Sequence, residues 1–249
     1  MSRRMRLGAP PSHGASPPAL ARPEPTATTP RAYPEPARAG HFAAVHGELI
    51  RRTLRERLSC ALPEQARHHL DADLRAVAER GADALDEPFP AAERRYGRTP
   101  LPGWAGWSVP DAVRTRLLSA LPLTGTALAD RARWLYARGG AAERKSVLLA
   151  LPFLPVGAAA VGIVRDAVRS EDARLLAAAL GPYAGRHLDQ ESWRRAVVSC
   201  LATGVPLIRV DVLADRHDRE LALLAQEFAE RRRAARRPVP DDLWLVTGS

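Results

Sequence analysis

Asp211, Asp215, Arg216, His217, Asp218 and Glu220 crowd one short stretch of this chain. A histidine beside carboxylates is the raw material of general acid–base catalysis, because each group tunes the proton affinity of the other. His217 with Asp215 or Glu220 is therefore the candidate catalytic set. The same residues also make an ordinary solvated connection, with Asp218 capping the next helix and Arg216 in local ion pairs, and that is the expected role. Other chemistry finds less to work with. The chain has no GxGxxG or GxxxxGK(S/T) loop to cradle a phosphate and no GxSxG elbow to present a serine. His41 and His46 are five apart and His68 and His69 are adjacent, so neither pair shares a helix face as i, i+4 ligands do, and no metal site is expected. Cys60 and Cys200 belong to no CxxC pair and read as small buried hydrophobes. Nothing calls for a cofactor.

The arginine run Arg231, Arg232, Arg233, Arg236 and Arg237 offers a different chemistry, contact with phosphates or an anionic membrane surface. At a helix end it also sets positive charge near the negative pole of the macrodipole. No aromatic residue interleaves with it, so specific nucleic-acid binding is not expected. The net charge of +9 sits in this run and in residues 1–38, where six arginines face two glutamates, and the rest of the chain is balanced. Lys145 is the only lysine, a bias toward arginine that weakens any inference from arginine abundance.

The elements that position these groups are helices. Apolar residues make up 46% of the chain and aromatics 5%, so the core is built from Leu, Val and Ala, and strand-formers such as Ile and Tyr are scarce. Phe42, Val45 and Leu49, with Ile50, Leu54 and Leu58, recur at helical spacing. Pro63 opens a helix carrying Leu70, Leu74 and Val77, which Gly81 ends. The proline-rich stretch from Phe89 to Trp107 reads as loop with one short helix at most. Ser108 with Asp111 makes a capping-box start for the stripe Val113, Leu117, Leu121. Ser170 is the expected cap of a short helix ended by Gly181. Asp189 caps the next, with Trp193, Val197, Cys200 and Leu201 on one stripe; Asp218 caps the last long one, carrying Leu221, Leu224, Ala225 and Phe228. Leu243 to Val246 reads as a terminal anchor.

A weak repeat runs through the middle. Pro122, Pro152 and Pro182 each follow a helical Leu/Ala segment, thirty residues apart. Such a period marks stacked helical hairpins, and an irregular helical bundle is the alternative. Residues 1–38 hold nine of the 22 prolines with little apolar content, so a disordered tail is expected there, followed by one all-α domain over 39–249. No apolar run approaches the ~18 residues needed to cross a bilayer. The start carries Arg3 and Arg4 without the apolar stretch of an export signal, which makes the cytoplasm the expected compartment.

From about Trp104 to Trp244 the chain resembles the EboA family. Glu143 to Pro155, ERKSVLLALPFLP, looks like the family's acidic lead-in to a Leu-Pro-x-Leu-Pro element. Asp166 to Glu171, Gly181-Pro-Tyr183, Leu188 to Trp193, Pro206-Leu207 with Leu213 and Arg216, and Leu243-Trp244 follow in the family's order. Glu171, Gly181, Arg194-Arg195 and Arg231–Arg233 depart from its usual residues, as in a diverged member. The resemblance implies a pathway more than a reaction: traffic of secondary-metabolite precursors, alongside enzymes and a membrane protein. Three readings follow. The leading one is a non-enzymatic helical adaptor with a small-molecule groove lined by Arg169, Tyr183, Trp193 and Arg216, whose partners are other proteins of a biosynthesis or export cassette. The second is an accessory, isomerase-like enzyme using a closed pocket around His217. The third is a membrane-surface or nucleic-acid binder acting through the arginine run.

Overall fold

The computed structural model describes residues 52–248. The tail 1–38, the domain boundary at 39, His41, His46 and the first helical positions through Ile50 lie outside the described residues. Within them the chain is all α, with no strand. The first helices are α1 (52–61), α2 (Glu64–Arg80), α3 (Pro88–Tyr96) and α4 (Val109–Ala120). The middle is formed by α5 (Gly125–Arg138), α6 (Ala141–Ala150), α7 (Val161–Ala167), α8 (Ala173–Ala179) and α9 (Pro182–His187). The last are α10 (Gln190–Thr203), α11 (Leu213–Arg216), α12 (Arg219–Ala234) and α13 (Trp244–Thr247).

Alternate helices pack on one another: α2 on α4, α4 on α6, α6 on α8, α8 on α10 and α10 on α12. The α4–α6 pair is the most extensive. One continuous core follows from this row. Leu54 and Leu58 of α1, Leu70, Leu74 and Val77 of α2, and Val113 and Leu117 of α4 are all buried in it, as is Leu121 just past the end of α4. Ser108 accepts from the Asp111 amide while the Asp111 carboxylate accepts from the Ser108 amide, the reciprocal cap the sequence encodes.

The segments around the thirty-residue interval touch without repeating. The Gly125 amide donates to the Pro155 carbonyl at 2.7 Å, and α5 packs along the turn Gly157–Ala160. Yet α4 and α6 run in opposite senses, since Asp111 meets Ser146, Arg114 meets Glu143, and Trp107 lies against Phe153. A repeated hairpin would set these helices parallel. The arrangement is therefore the irregular bundle of the two expected alternatives.

The one short helix expected between Phe89 and Trp107 is α3, nine residues long, which tolerates Pro88 and Pro90 because both fall in its first turn, where amides have no intrahelical acceptor. Other local readings change. The cap of α8 is Asp172, not Ser170. The Asp172 carboxylate accepts from the Arg174 amide and is held by the Arg174 guanidinium, while the Ser170 hydroxyl accepts from the Asp172 amide one step outside. Gly181 starts α9 rather than ending α8. Cys60 is exposed, because it lies two residues from Leu58 and so faces away from the stripe that α1 buries. Cys200 is buried, and burial pushes its thiol up to about 12. In the terminal segment Val246 is buried while Trp244 stands exposed.

Trp193 of α10 is fully buried, on one stripe with Val197, Cys200 and Leu201. Its indole N–H meets no acceptor among the described residues. Trp193→Ala is expected to cost ~3–5 kcal/mol in urea unfolding, through lost burial and the cavity left behind. Trp193→Phe gives up no hydrogen bond and is expected to cost clearly less.

Candidate functional site

The C-terminal half is organised around Arg216. Its Nε donates to Gln190 Oε1 at 2.9 Å, and its two terminal nitrogens reach the carbonyls of Ala184, Gly185 and Leu188 at 3.0–3.3 Å. These carbonyls belong to α9 and its exit; Ala184 already accepts from the Leu188 amide at 2.9 Å, and Arg216 adds a second donor there while reaching Gly185 and Leu188 beside it. The guanidinium also lies 4.8 Å from the Trp193 ring centroid, so one cation joins α9, α10 and α11. Just before α11, Val212 sits at φ 53°, a left-handed conformation that costs a β-branched residue strain. It packs against Gly185, where an added Cβ would lie 2.7 Å from Val212 Cγ2.

The charged stretch around His217 divides among structural roles. Asp218 caps α12, accepting from the Leu221 amide at 2.9 Å, from the Arg194 guanidinium at 2.5–3.0 Å and from Gln190 Nε2 at 2.8 Å. Arg194 above all, with the Leu221 amide and Gln190, holds the Asp218 carboxyl well below the usual carboxylate range. His217 is exposed, and its Nε2 donates to the Val246 carbonyl at 2.7 Å, which ties α13 to the start of α12. Asp215 and Glu220 are exposed. Among the described residues His217 is exposed and not enclosed.

The residues expected to line a groove separate. Trp193 is fully buried and Tyr183 nearly so. The Tyr183 hydroxyl donates to the Gly157 carbonyl at 2.6 Å and accepts from the Ala160 amide at 3.1 Å. Burial raises the pKa of this phenol. Both rings are thus spent inside the core, and Arg216 is spent on carbonyls. Arg169 alone of the four reaches an open cavity.

That cavity, about 670 Å³, lies between the end of α7 and one face of α10. Val168, Arg169, Ser170 and Glu171 bound it on one side with Arg165; Ser192, Arg195, Ala196, Ser199 and Thr203 bound it on the other. Arg165 reaches Asp189 at 3.3 Å, and Arg195 pairs with Glu191 one turn away. The Ser192 amide first, and then Arg165, lower the Asp189 pKa. Arg169 makes no ion pair among the described residues and is exposed. Arg165 and Arg195 thus border the cavity already paired with carboxylates of their own. Arg169 and Glu171 stand at it without an ion pair among the described residues, and Val168 and Ala196 form the floor, with hydroxyls along the α10 wall. The sequence carried a signal for this wall. Ser192, Arg195, Ala196, Ser199 and Thr203 recur at helical spacing beside the Trp193 stripe, as a face too polar to be core.

A buried polar network joins α4 and α6. Arg114, 1% exposed, donates to the Phe89 carbonyl at 2.9 Å, Ser146 Oγ at 3.3 Å and Glu143 Oε1 at 3.2 Å. Asp111 accepts from Lys145 Nζ and Ser146 Oγ, both at 2.7 Å. Burial lowers the Arg114 pKa against the pull of Glu143. Sequence reading passed over this set, although Arg114 interrupts the stripe of α4 and Glu143, Lys145 and Ser146 stand together. Among the described residues no cluster of His, Cys, Asp and Glu is placed to hold a metal, and no helix is long and apolar enough to cross a membrane.

A family model described as metabolite traffic protein EboA matches residues 77–248. Neither the curated proteins nor the solved structures contain a match to the chain.

Because folding lowers the Asp218 pKa, its contribution is fully present above the unfolded value near pH 4 and is lost as pH falls through the folded one. Urea unfolding of Asp218→Asn and the parent chain should therefore differ by a constant amount above about pH 5, and the difference should shrink steadily as pH falls below about 4. His217→Ala is expected to cost only ~0.5–1.5 kcal/mol, the worth of its bond to Val246.

Proposed function

Since the chain belongs to the EboA family, we propose that it serves metabolite traffic as a helical binding protein without catalysis of its own. It holds a small pathway molecule in the cavity between α7 and α10 and meets other proteins of the same pathway through its outer helices. The observation that carries this reading is the composition of the cavity. Guanidinium groups and hydroxyls orient and neutralise an anionic or polar ligand, and a short apolar floor takes its carbon skeleton. Arg169 supports it most, since it stands at the cavity with no carboxylate of its own among the described residues.

Catalysis asks for more than binding. A general base must lie within hydrogen-bond reach of the proton it removes. The cavity walls supply arginines, aliphatic hydroxyls and one carboxylate, Glu171, with no histidine or cysteine among the lining residues to complete a nucleophile–base pair. The competing enzymatic reading rests on His217 with Asp215 and Glu220, and the same experiment separates the two.

Ser199→Trp places a large ring in the cavity, and Arg169→Glu inverts its charge. Both positions are partly or fully exposed, so melting temperatures should stay within a few degrees of the parent. Cells carrying either variant are expected to lose most of the pathway product, while His217→Ala cells keep it. Full product from both cavity variants would sink the binding reading. Loss of product in His217→Ala at unchanged stability would install the enzymatic one.

A further inference from the structure

One corner of the molecule exposes large apolar side chains on rigid backbone. Ile208 is 85% exposed and Trp244 61%. Ile208 is the middle residue of the turn Leu207–Arg209, and this turn packs on the turn Asp241–Leu243, which Trp244 directly follows. Asp242 accepts from the Leu207 amide at 2.6 Å and locks the two turns together. Leu207 and Val246, next to or two residues from the exposed pair, are both fully buried. Ile208 and Trp244 therefore stand out because their neighbours are anchored inward.

Positive charge continues from the same segment. Arg209 follows Ile208, and the chain enters the Asp241 turn directly from the run that ends at Arg237. Arg233, Arg236 and Arg237 are exposed and make no ion pair among the described residues. Helix capping does not account for them all. The macrodipole acts only on the last turn, whereas Arg236 and Arg237 lie past the end of α12 at Ala234. Arg236 even takes a left-handed backbone, φ 54°, a position where glycine is the usual occupant. Its amide and that of Arg237 close the helix onto the Arg233 and Arg232 carbonyls. A glycine would do this with less strain and no charge.

We propose that this corner docks the protein on an anionic phospholipid surface, with Ile208 and Trp244 in the headgroup layer and the arginines on lipid phosphates. The chemistry of the patch selects this occupant. Tryptophan is favoured at the membrane interface, where one part of its ring is wet and the rest apolar. An exposed isoleucine has little to offer a nucleic acid, which pairs phosphate contacts with aromatic stacking. A purely protein partner leaves several unpaired arginines on one short segment unexplained, whereas a sheet of phosphates uses all of them. Docking would be peripheral, since no helix among the described residues is long and apolar enough to cross a bilayer.

The test is co-sedimentation of the full chain with vesicles of phosphatidylcholine alone and of an equal mixture with phosphatidylglycerol. The parent chain should pellet with the mixed vesicles and not with the neutral ones, and high salt should weaken the binding. Ile208→Ser/Trp244→Ser should reduce binding about tenfold, and Arg233→Glu/Arg236→Glu/Arg237→Glu about a hundredfold. All these side chains are exposed, and unchanged melting curves would show that both variants fold. Failure of the parent chain to bind mixed vesicles at low salt overturns the proposal. So does binding that survives the Ile208/Trp244 exchange, because the charge of residues 1–38 would then account for it.

Discussion

A guanidinium removed from water costs several kcal/mol unless its N–H groups find acceptors, and Arg114 sits inside α4 with 1% exposure. Its three nitrogens reach the Phe89 carbonyl of α3 and the Glu143 and Ser146 side chains of α6. These three contacts fix α3, α4 and α6 to one another. Most helices of this chain are shorter than the length at which an isolated helix is stable, so their order comes from tertiary contact. The deepest of those contacts, α4 on α6, is built around this charge. Its cost is offset by a closed set of partners, with Asp111 and Lys145 completing the charge balance.

The other half of the molecule repeats the device in a wetter setting. Arg216 fastens α9, α10 and α11 through backbone carbonyls and the face of Trp193. This clasp lets Val212 keep its left-handed backbone, since the strain there is small beside the combined worth of several charge-assisted bonds. It also settles which way α10 is turned. With Trp193, Val197 and Cys200 held inward, the face bearing Ser192, Arg195 and Ser199 is left toward α7, and the cavity forms between them. The binding reading depends on this rotation, because a turn of α10 by one residue would bring core side chains to the cavity wall.

Arginine thus does three kinds of work here. At Arg114 and Arg216 it satisfies buried or half-buried acceptors and sets the packing. At Arg165, Arg169 and Arg195 it gathers at a cavity, where Arg165 and Arg195 are paired with Asp189 and Glu191 and Arg169 is not. From Arg231 to Arg237 it extends past the helix it ends. A count of arginines cannot separate these roles. Burial and the presence or absence of a partner do.

The helical class, and the extent and caps of α2, α4, α10 and α12, were legible from local chemistry. The capping box at Ser108, the Asp189 and Asp218 caps, the Gly81 stop and the stripe through Trp193 all depend on residues within one or two turns, so spacing alone reveals them. The order of EboA-like segments was legible for the same reason. What tertiary structure decided was partnership across distance. Arg114 is unremarkable in sequence, because its acceptors lie 25 to 32 residues away. Tyr183, Trp193 and Arg216 looked like groove residues by type, yet buried carbonyls, amides and apolar neighbours use them first. The opposed course of α4 and α6, invisible to a thirty-residue period, follows from the same buried charge. Sequence spacing reports which residues share a face; only the packed chain shows which faces find a partner and which, like Arg169, Ile208 and Trp244, are left to meet something else.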